Sequence, residues 1–413
     1  MKILVAHNAY QQRGGEDAVF AAEAHLLAER GHDVVRYFRT NQELRSLTLL
    51  NSIATAIETS WSSQSYRDLS RLLKREKPDI AHFHNTFPLI SPSAYYACAN
   101  AGVPVVQTLH NYRLLCPAAT FFRDGKVCES CLGRNLPWPA VVHSCYRDSA
   151  TASAALAGML SMHNAFRTWK NKVDVFIALS EFARQKFIAS GLPAECIVVK
   201  PNFLEDPGVK SAAGEYALYV GRLSEDKGIR VLLSAWKKLR HPLPFKIAGT
   251  GPLCEEVKQE IEHTPLPQVD CVGLVFPSEV LTLMQNARFL VFPSLWFEGF
   301  PLTIAEAFAC GVPVLASNLG AMAEIVEDGR TGLHFAVGDA ADLAAKVEWA
   351  FSHPEAMQAM GLAARLEYET KYSPKQNYAQ LLAIYQRAQH NSKCKLEHSG
   401  RKLLDQSTAD RRD

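Results

Sequence analysis

Long apolar runs, an excess of charge of one sign and internal repeats are all missing from this 413-residue chain. No stretch approaches the ~18 consecutive apolar residues of a membrane-spanning helix, which excludes a channel or carrier built on such spans. The 44 Lys and Arg nearly balance the 42 Asp and Glu, leaving a net charge of +2. That gives no electrostatic footprint for nucleic acid, so none is expected as a partner. The apolar start of the chain stops at His7 and Asn8, too early for a secretory leader, and a cytoplasmic protein is expected. Cysteine is not scarce. The ten present, in a reducing compartment, read as thiols or metal ligands rather than disulfides.

What the chain does have is regular alternation of short apolar runs with helical stretches, the pattern of an α/β protein with parallel sheets. Strands are expected near 3–7, 34–38, 80–84, 105–110, 175–179 and 197–200. A second series is expected near 216–220, 245–248, 270–273, 289–292, 314–317 and 333–335. The polar segment 205–215, with Pro207 and Gly208, reads as a linker. The expected organisation is a first domain over 1–205 with a Cys-rich insertion at 116–145, then a second domain over 216–372. A helix at 373–390 and a polar, disordered tail at 391–413 complete it.

The most informative stretch is 294–313, Ser-Leu-Trp-Phe-Glu-Gly-Phe-Pro-Leu-Thr-Ile-Ala-Glu-Ala-Phe-Ala-Cys-Gly-Val-Pro. A buried strand precedes it, and Glu298 falls in the loop at the strand's C-terminal end. Pro301 fits the first turn of the next helix, where its missing N–H costs nothing. Glu306 lies inside that helix, and Gly311 stops it. Free amides at Phe300, Leu302 and Thr303 would form an anion site flanked by carboxylates able to accept hydrogen bonds from sugar hydroxyls.

Glu298 to Glu306, with the surrounding Glu-Gly-Phe-Pro-Leu and Glu-Ala-Phe-Ala-Cys-Gly-Val-Pro-Val, resembles the paired-glutamate signature of retaining glycosyltransferases of the GT-B fold, family 4 type. The resemblance implies two Rossmann-like, doubly wound domains facing across a cleft, with the 373–390 helix crossing back onto the first domain. It implies transfer of a sugar from a nucleotide-diphospho-sugar to an acceptor hydroxyl with retention of configuration. A glycan or lipid-linked acceptor is implied, in bacterial surface polysaccharide or lipopolysaccharide assembly, with peripheral contact at the inner membrane. The alternatives are a nucleotide-sugar 2-epimerase of the same architecture and a non-catalytic nucleotide-sugar-binding subunit.

Motifs elsewhere take their roles from the same resemblance. In Gly221-Arg222-Leu223-Ser224-Glu225-Asp226-Lys227-Gly228, Arg222 and Lys227 neutralise the leaving diphosphate. Glu306 accepts the ribose hydroxyls, and Glu298 contacts the donor sugar. The amides from Gly299 through Phe300, Pro301 and Leu302 to Thr303 cover phosphates and sugar. Gly249 and Gly251 line the nucleotide site, and Val275 meets the base. In Arg13-Gly14-Gly15, Gly14 and Gly15 let backbone approach donor and acceptor. His110, ending a strand, sits near the developing charge of the sugar, whereas His84 reads as structural or as shaping the acceptor side. No Asp-x-Asp pair occurs, and cationic side chains replace a catalytic metal, so no cofactor is expected for the reaction.

Cys116, Cys128, Cys131 and Cys145 have the spacing C-x11-C-x2-C-x13-C in an irregular region. Four thiolates around a C-x-x-C core resemble a structural Zn²⁺ site, with an iron–sulfur cluster or four separate thiols as alternatives. The stretch 150–169, followed by Lys170 and Lys172, reads as a helix packed on its own domain, or as an amphipathic helix on an anionic membrane.

Overall fold

The computed structural model describes residues 1–11, 14–46, 57–209, 214–263 and 268–409; Arg13 lies outside them. The first domain contains β1 (Lys2–Ala9), β2 (Asp33–Thr40), β3 (Ile80–Asn85) and β4 (Val105–Leu109). A two-residue-per-strand hairpin of β5 (Phe122–Arg123) and β6 (Lys126–Val127) interrupts the series before β7 (Val175–Ala178) and β8 (Ile197–Val199). The second domain holds β9 (Tyr216–Val220), β10 (Phe245–Ala248), β11 (Val269–Gly273), β12 (Ala287–Phe292), β13 (Val314–Ser317) and β14 (Gly332–Phe335). The sheet orders are β2-β1-β3-β4-β7-β8 and β11-β10-β9-β12-β13-β14, parallel throughout. All twelve expected strands are present, and the hairpin was not anticipated.

Helices cover both faces of each sheet, which is why the strands read as continuous apolar runs. Along β1, Ile3 and Val5 enter the core on one face while Leu4 and Ala6 enter the core on the other. In the second domain Ala217 and Tyr219 face one core, and Tyr216 and Leu218 the opposite one. The helix Ala150–Ala165 sends Leu156, Met159 and Leu160 into the first domain's core, so its apolar face is used within the protein. Among the described residues no helix is long and apolar enough to cross a membrane.

The final helix, Pro374–Ala409, returns to the first domain. Leu381, Ile384, Tyr385 and Ala388 pack with Ile3, Val5 and Ile80. Lys395 pairs with Asp174 at 3.0 Å. Helical backbone continues to Ala409, through the part of 391–413 expected to lack structure; residues 410–413 lie outside the described set. The outgoing and returning crossings between domains touch each other. The Leu204 amide donates to the Tyr372 carbonyl (3.2 Å), and the Tyr368 hydroxyl donates to the Leu204 carbonyl (3.1 Å).

Candidate active site

A cleft of about 360 Å³ lies between the domains, lined by residues that follow β1, β4, β9 and β12. Strands β9 and β12 are neighbours at the point where strand order reverses, the place where open parallel sheets bind ligands. The domains also meet beside the cleft. Phe297, from the loop after β12, packs on Phe121 and Phe182 of the first domain at 6.2 and 4.7 Å between ring centroids.

Lys227 and Glu298 form the centre of the second-domain wall. Lys227 Nζ lies 2.6 Å from Glu298 Oε1, which also accepts from Ser294 Oγ (2.6 Å) and Trp296 Nε1 (2.8 Å). The ammonium sits 5.1 Å from the Trp296 ring centroid, within cation–π range. Gly228 makes this approach sterically feasible. Its φ is +70°, and a Cβ there would lie 1.9 Å from the Pro293 carbonyl oxygen. Arg222 is more open: its guanidinium is 3.6 Å from Asp226 and donates to Ser224 Oγ at 3.3 Å.

The loop ends in the helix Leu302–Ala309, whose N-terminus carries no side-chain cap. Pro301 stands at the N-cap rather than in the first turn. Its ψ of 97° is extended, and proline's fixed φ suits either position. The exposed dipole end and first-turn amides face the cleft through Leu302 and Thr303. Glu306, one turn further in, has its carboxyl pKa raised by burial.

Gly299 lies at a close approach between the domains. A Cβ on it would lie 2.4 Å from the His110 carbonyl oxygen, a backbone atom that no side-chain rotation can move. Gly299→Ala is therefore expected to hold the cleft ajar and lower kcat/KM on the order of 10²-fold, with circular dichroism unchanged. Near-normal kinetics would mean that this approach is not needed for turnover. Gly15 closes on the same helix from the first domain, where a Cβ would come 3.2 Å from Leu302 Cδ1.

His110 enters the cleft at the end of β4 with a buried polar network behind it. Its Nε2 is 3.0 Å from His84 Nδ1, and His84 Nε2 is 3.3 Å from Glu23 Oε2. Glu23 is also paired with Lys200, and Asn377 of the last helix donates to it at 3.3 Å. His82 bridges Tyr385 (3.0 Å) and Thr108 (2.7 Å). Burial pushes the His110 pKa down to about 3 and that of His82 to about 4, and it also holds His84 well below the usual range. His110 thus meets the cleft as a neutral imidazole at neutral pH.

The cleft lining includes Gly15, His110, Arg222, Lys227, Glu298, Gly299, Phe300, Pro301, Leu302 and Thr303. Gly14 stands just behind, at the N-cap of the helix Gly15–Glu29. Gly249 and Gly251 pack closely on the Arg222 turn: a Cβ on them would lie 1.9 Å from Gly221 O and 2.4 Å from Leu223 O. Val275 follows β11 and is not among the lining residues. The four cysteines come together around a separate small cavity.

Sequence reasoning missed Glu16 and Asn202. Glu16 Oε1 accepts from Asn111 Nδ2 at 2.7 Å, and Tyr10 stands against the same carboxyl, whose Oε2 is out of solvent with no hydrogen-bond partner within geometric range among the described residues. Asn202 is 4% exposed, and its Oδ1 is likewise unpartnered. Both residues line the cleft, where unsatisfied acceptors suit a ligand rich in hydroxyls. Glu16 adjoins the glycine pair and was findable; nothing in the sequence marks Asn202.

Comparison with known proteins agrees with this architecture. The profile for Glycosyltransferase Family 4 matches residues 13–206, and that for Glycosyl transferases group 1 matches 205–367. The chain is 38% identical over 152 residues to a glycogen synthase of Mycobacterium tuberculosis, covering 36% of each protein. It is 31% identical over 232 residues to the amylovoran biosynthesis glycosyltransferase AmsK of Erwinia amylovora, covering 52% of this chain and 56% of that one. It therefore spans between about a third and a little over half of these relatives' lengths. Among solved structures, Anabaena HepE in complex with UDP-glucose superposes with a TM-score of 0.63 at 16% identity, over 95% of this chain and all of that one. Two abutting family profiles, two parallel α/β domains and a cleft at the second sheet's reversal point lead to one assignment: the chain belongs to the GT-B glycosyltransferases of family 4 type.

Proposed function

We propose that this protein transfers a glycosyl unit from a nucleotide-diphospho-sugar to an acceptor hydroxyl with retention of configuration. The observation that carries this reading is the Lys227–Glu298 pair beside an uncapped helix N-terminus, facing His110 across the cleft. The diphosphate lies against the first amides of Leu302–Ala309, with Lys227 and Arg222 as counter-charges, and Glu306 accepts from the ribose. Glu298 and neutral His110 hold the sugar. The acceptor approaches from the Gly14, Gly15, Glu16 and Asn202 side.

In the transfer, the acceptor oxygen forms a bond to the anomeric carbon as the bond to the leaving phosphate oxygen breaks. That phosphate oxygen takes the acceptor's proton, and attack comes on the face of departure. Preorganised positive charge lowers the barrier by stabilising the leaving diphosphate. Neither glutamate serves as a glycosidase-style nucleophile, and Lys227 and Arg222 supply the charge that a metal supplies in other transferases. Relatives named for amylovoran and lipopolysaccharide synthesis support a glycan or lipid-linked acceptor in surface polysaccharide assembly, reached from the cytoplasmic face of the membrane.

A thermal-shift screen of UDP-, GDP-, ADP- and dTDP-sugars tests the donor site, and HepE's complex makes UDP-glucose the first probe. One donor should raise the wild-type melting temperature. Glu306→Ala should weaken its binding by ~10–100-fold, the effect of losing hydrogen bonds to a charged group. An undiminished shift in Glu306→Ala would move the ribose elsewhere. Once a donor is found, the anomeric proton coupling of the product decides between retention and inversion.

A further inference from the structure

The segment between β4 and the helix Ala150–Ala165 has little regular structure and much unusual backbone. Six of the nine described non-glycine residues with positive φ lie in it: Ala119, Phe121, Asp124, Ser144, Arg147 and Asp148. Such conformations persist only where surrounding contacts over-determine them. Two two-residue strands and the five-residue helix Trp138–Val142 supply few of those contacts. Yet the segment is placed with care, because Ala119 lines the cleft and Phe121 packs between Tyr112 and Phe297, next to Glu298.

Four thiols meet at its centre. Cys116 comes from the turn before the hairpin, and Cys128 directly follows β6. Cys131 lies in the next turn, and Cys145 follows the short helix. All four line one cavity of about 10 Å³, also bordered by Phe122, Arg123 and Ala140. That is room for about one small atom. None of the four is in a disulfide. Two donor groups approach the sulfurs. The Arg123 side chain pairs with Cys145, and the Ala140 amide faces Cys131. Among the described residues Arg123 Nη1 has no oxygen or nitrogen partner of its own.

We propose that Cys116, Cys128, Cys131 and Cys145 bind one Zn²⁺ as a structural tetrathiolate site that staples this segment to the mouth of the cleft. Four thiols give up their protons as four zinc–sulfur bonds form, leaving a site of net charge −2 that Arg123 partly offsets. No three of the sulfurs yet lie within 4.8 Å of one another, so the metal would draw them inward onto the shared cavity. The protein folds round the metal with no position left open, so the site orders the segment and takes no part in bond-making.

The test is metal analysis of the full chain, purified without a metal column. One zinc per chain is expected in the wild type, and Co²⁺ exchange should give the visible bands of a tetrahedral thiolate site. Cys128→Ser with Cys131→Ser should abolish the zinc and lower the melting temperature, whereas Cys254→Ser, outside the cluster, should keep both. Wild-type protein that holds no zinc after incubation with it and shows no cobalt spectrum overturns the proposal, even if the double variant fails to fold. So does stoichiometric iron with acid-labile sulfide.

Discussion

Lys227→Ala is expected to lower kcat/KM by about 10²–10³-fold, the usual effect of removing one preorganised group that stabilises charge in the transition state. Two consequences act together. On the proposed mechanism the leaving diphosphate loses a cation, and Glu298 loses the ammonium 2.6 Å from its Oε1. Ser294 and Trp296 still donate to that oxygen, but they are neutral and cannot balance a nearly buried carboxylate. The loss should fall mainly on kcat, since charge on the phosphate grows toward the transition state. Folding should be little affected, because Lys227 is partly exposed and belongs to no core. Steady-state kinetics with the donor that the thermal-shift screen selects checks this. Activity within a few-fold of wild type would show that Arg222 and the helix terminus suffice.

Lys200→Met should have the largest effect on stability, costing ~3–5 kcal/mol, because it strands the Glu23 carboxylate in the core. Both partners are 1% exposed. Burial alone would push Glu23 up, but Lys200 and His82 outweigh it and hold the carboxyl below its usual range. The combined Glu23→Gln, Lys200→Met variant should recover part of the loss, since no lone charge remains. Urea unfolding measures both variants. Equal destabilisation of single and double variants would mean that packing, not charge, dominates.

The same network sets the protein's tolerance of acid. His82, His84 and His110 titrate lower in the folded state than in the unfolded chain, and so does Glu23. The unfolded chain therefore takes up protons first as pH falls, and stability declines from about pH 6.5 toward pH 4. The urea midpoint should be lower at pH 5 than at pH 7.5.

The strands were legible because helices bury both faces of each sheet, leaving apolar runs too short for anything else. The second-domain wall was legible for a different reason: Ser294, Trp296, Glu298 and the helix start are contiguous, so one stretch of chain carries most of that wall. The network behind His110 could not be read in this way. Glu23 sits mid-helix, where an acidic residue usually faces solvent. It is buried only because Lys200, His84 and Asn377, from three distant parts of the chain, converge on it. Gly249 and Gly251 follow β10, where they were expected. Their missing side chains admit the backbone of Gly221 and Leu223, and their sequence alone does not say whether a glycine makes room for ligand or for chain.

The chain passes between its domains twice, and the two passages are bonded to each other at Leu204 and Tyr372. Arg365 adds a link from the second domain to Asp206 on the outgoing passage at 2.6 Å. Two adjacent pins on one edge define a single axis, as on a door. Movement of one half against the other then reduces to rotation, with little sliding or twisting. Points beside Leu204 hardly separate, while points on the free edge, far from the two pins, travel furthest. A short cross-link at the pins would leave turnover intact, whereas one between the free edges would lock the door.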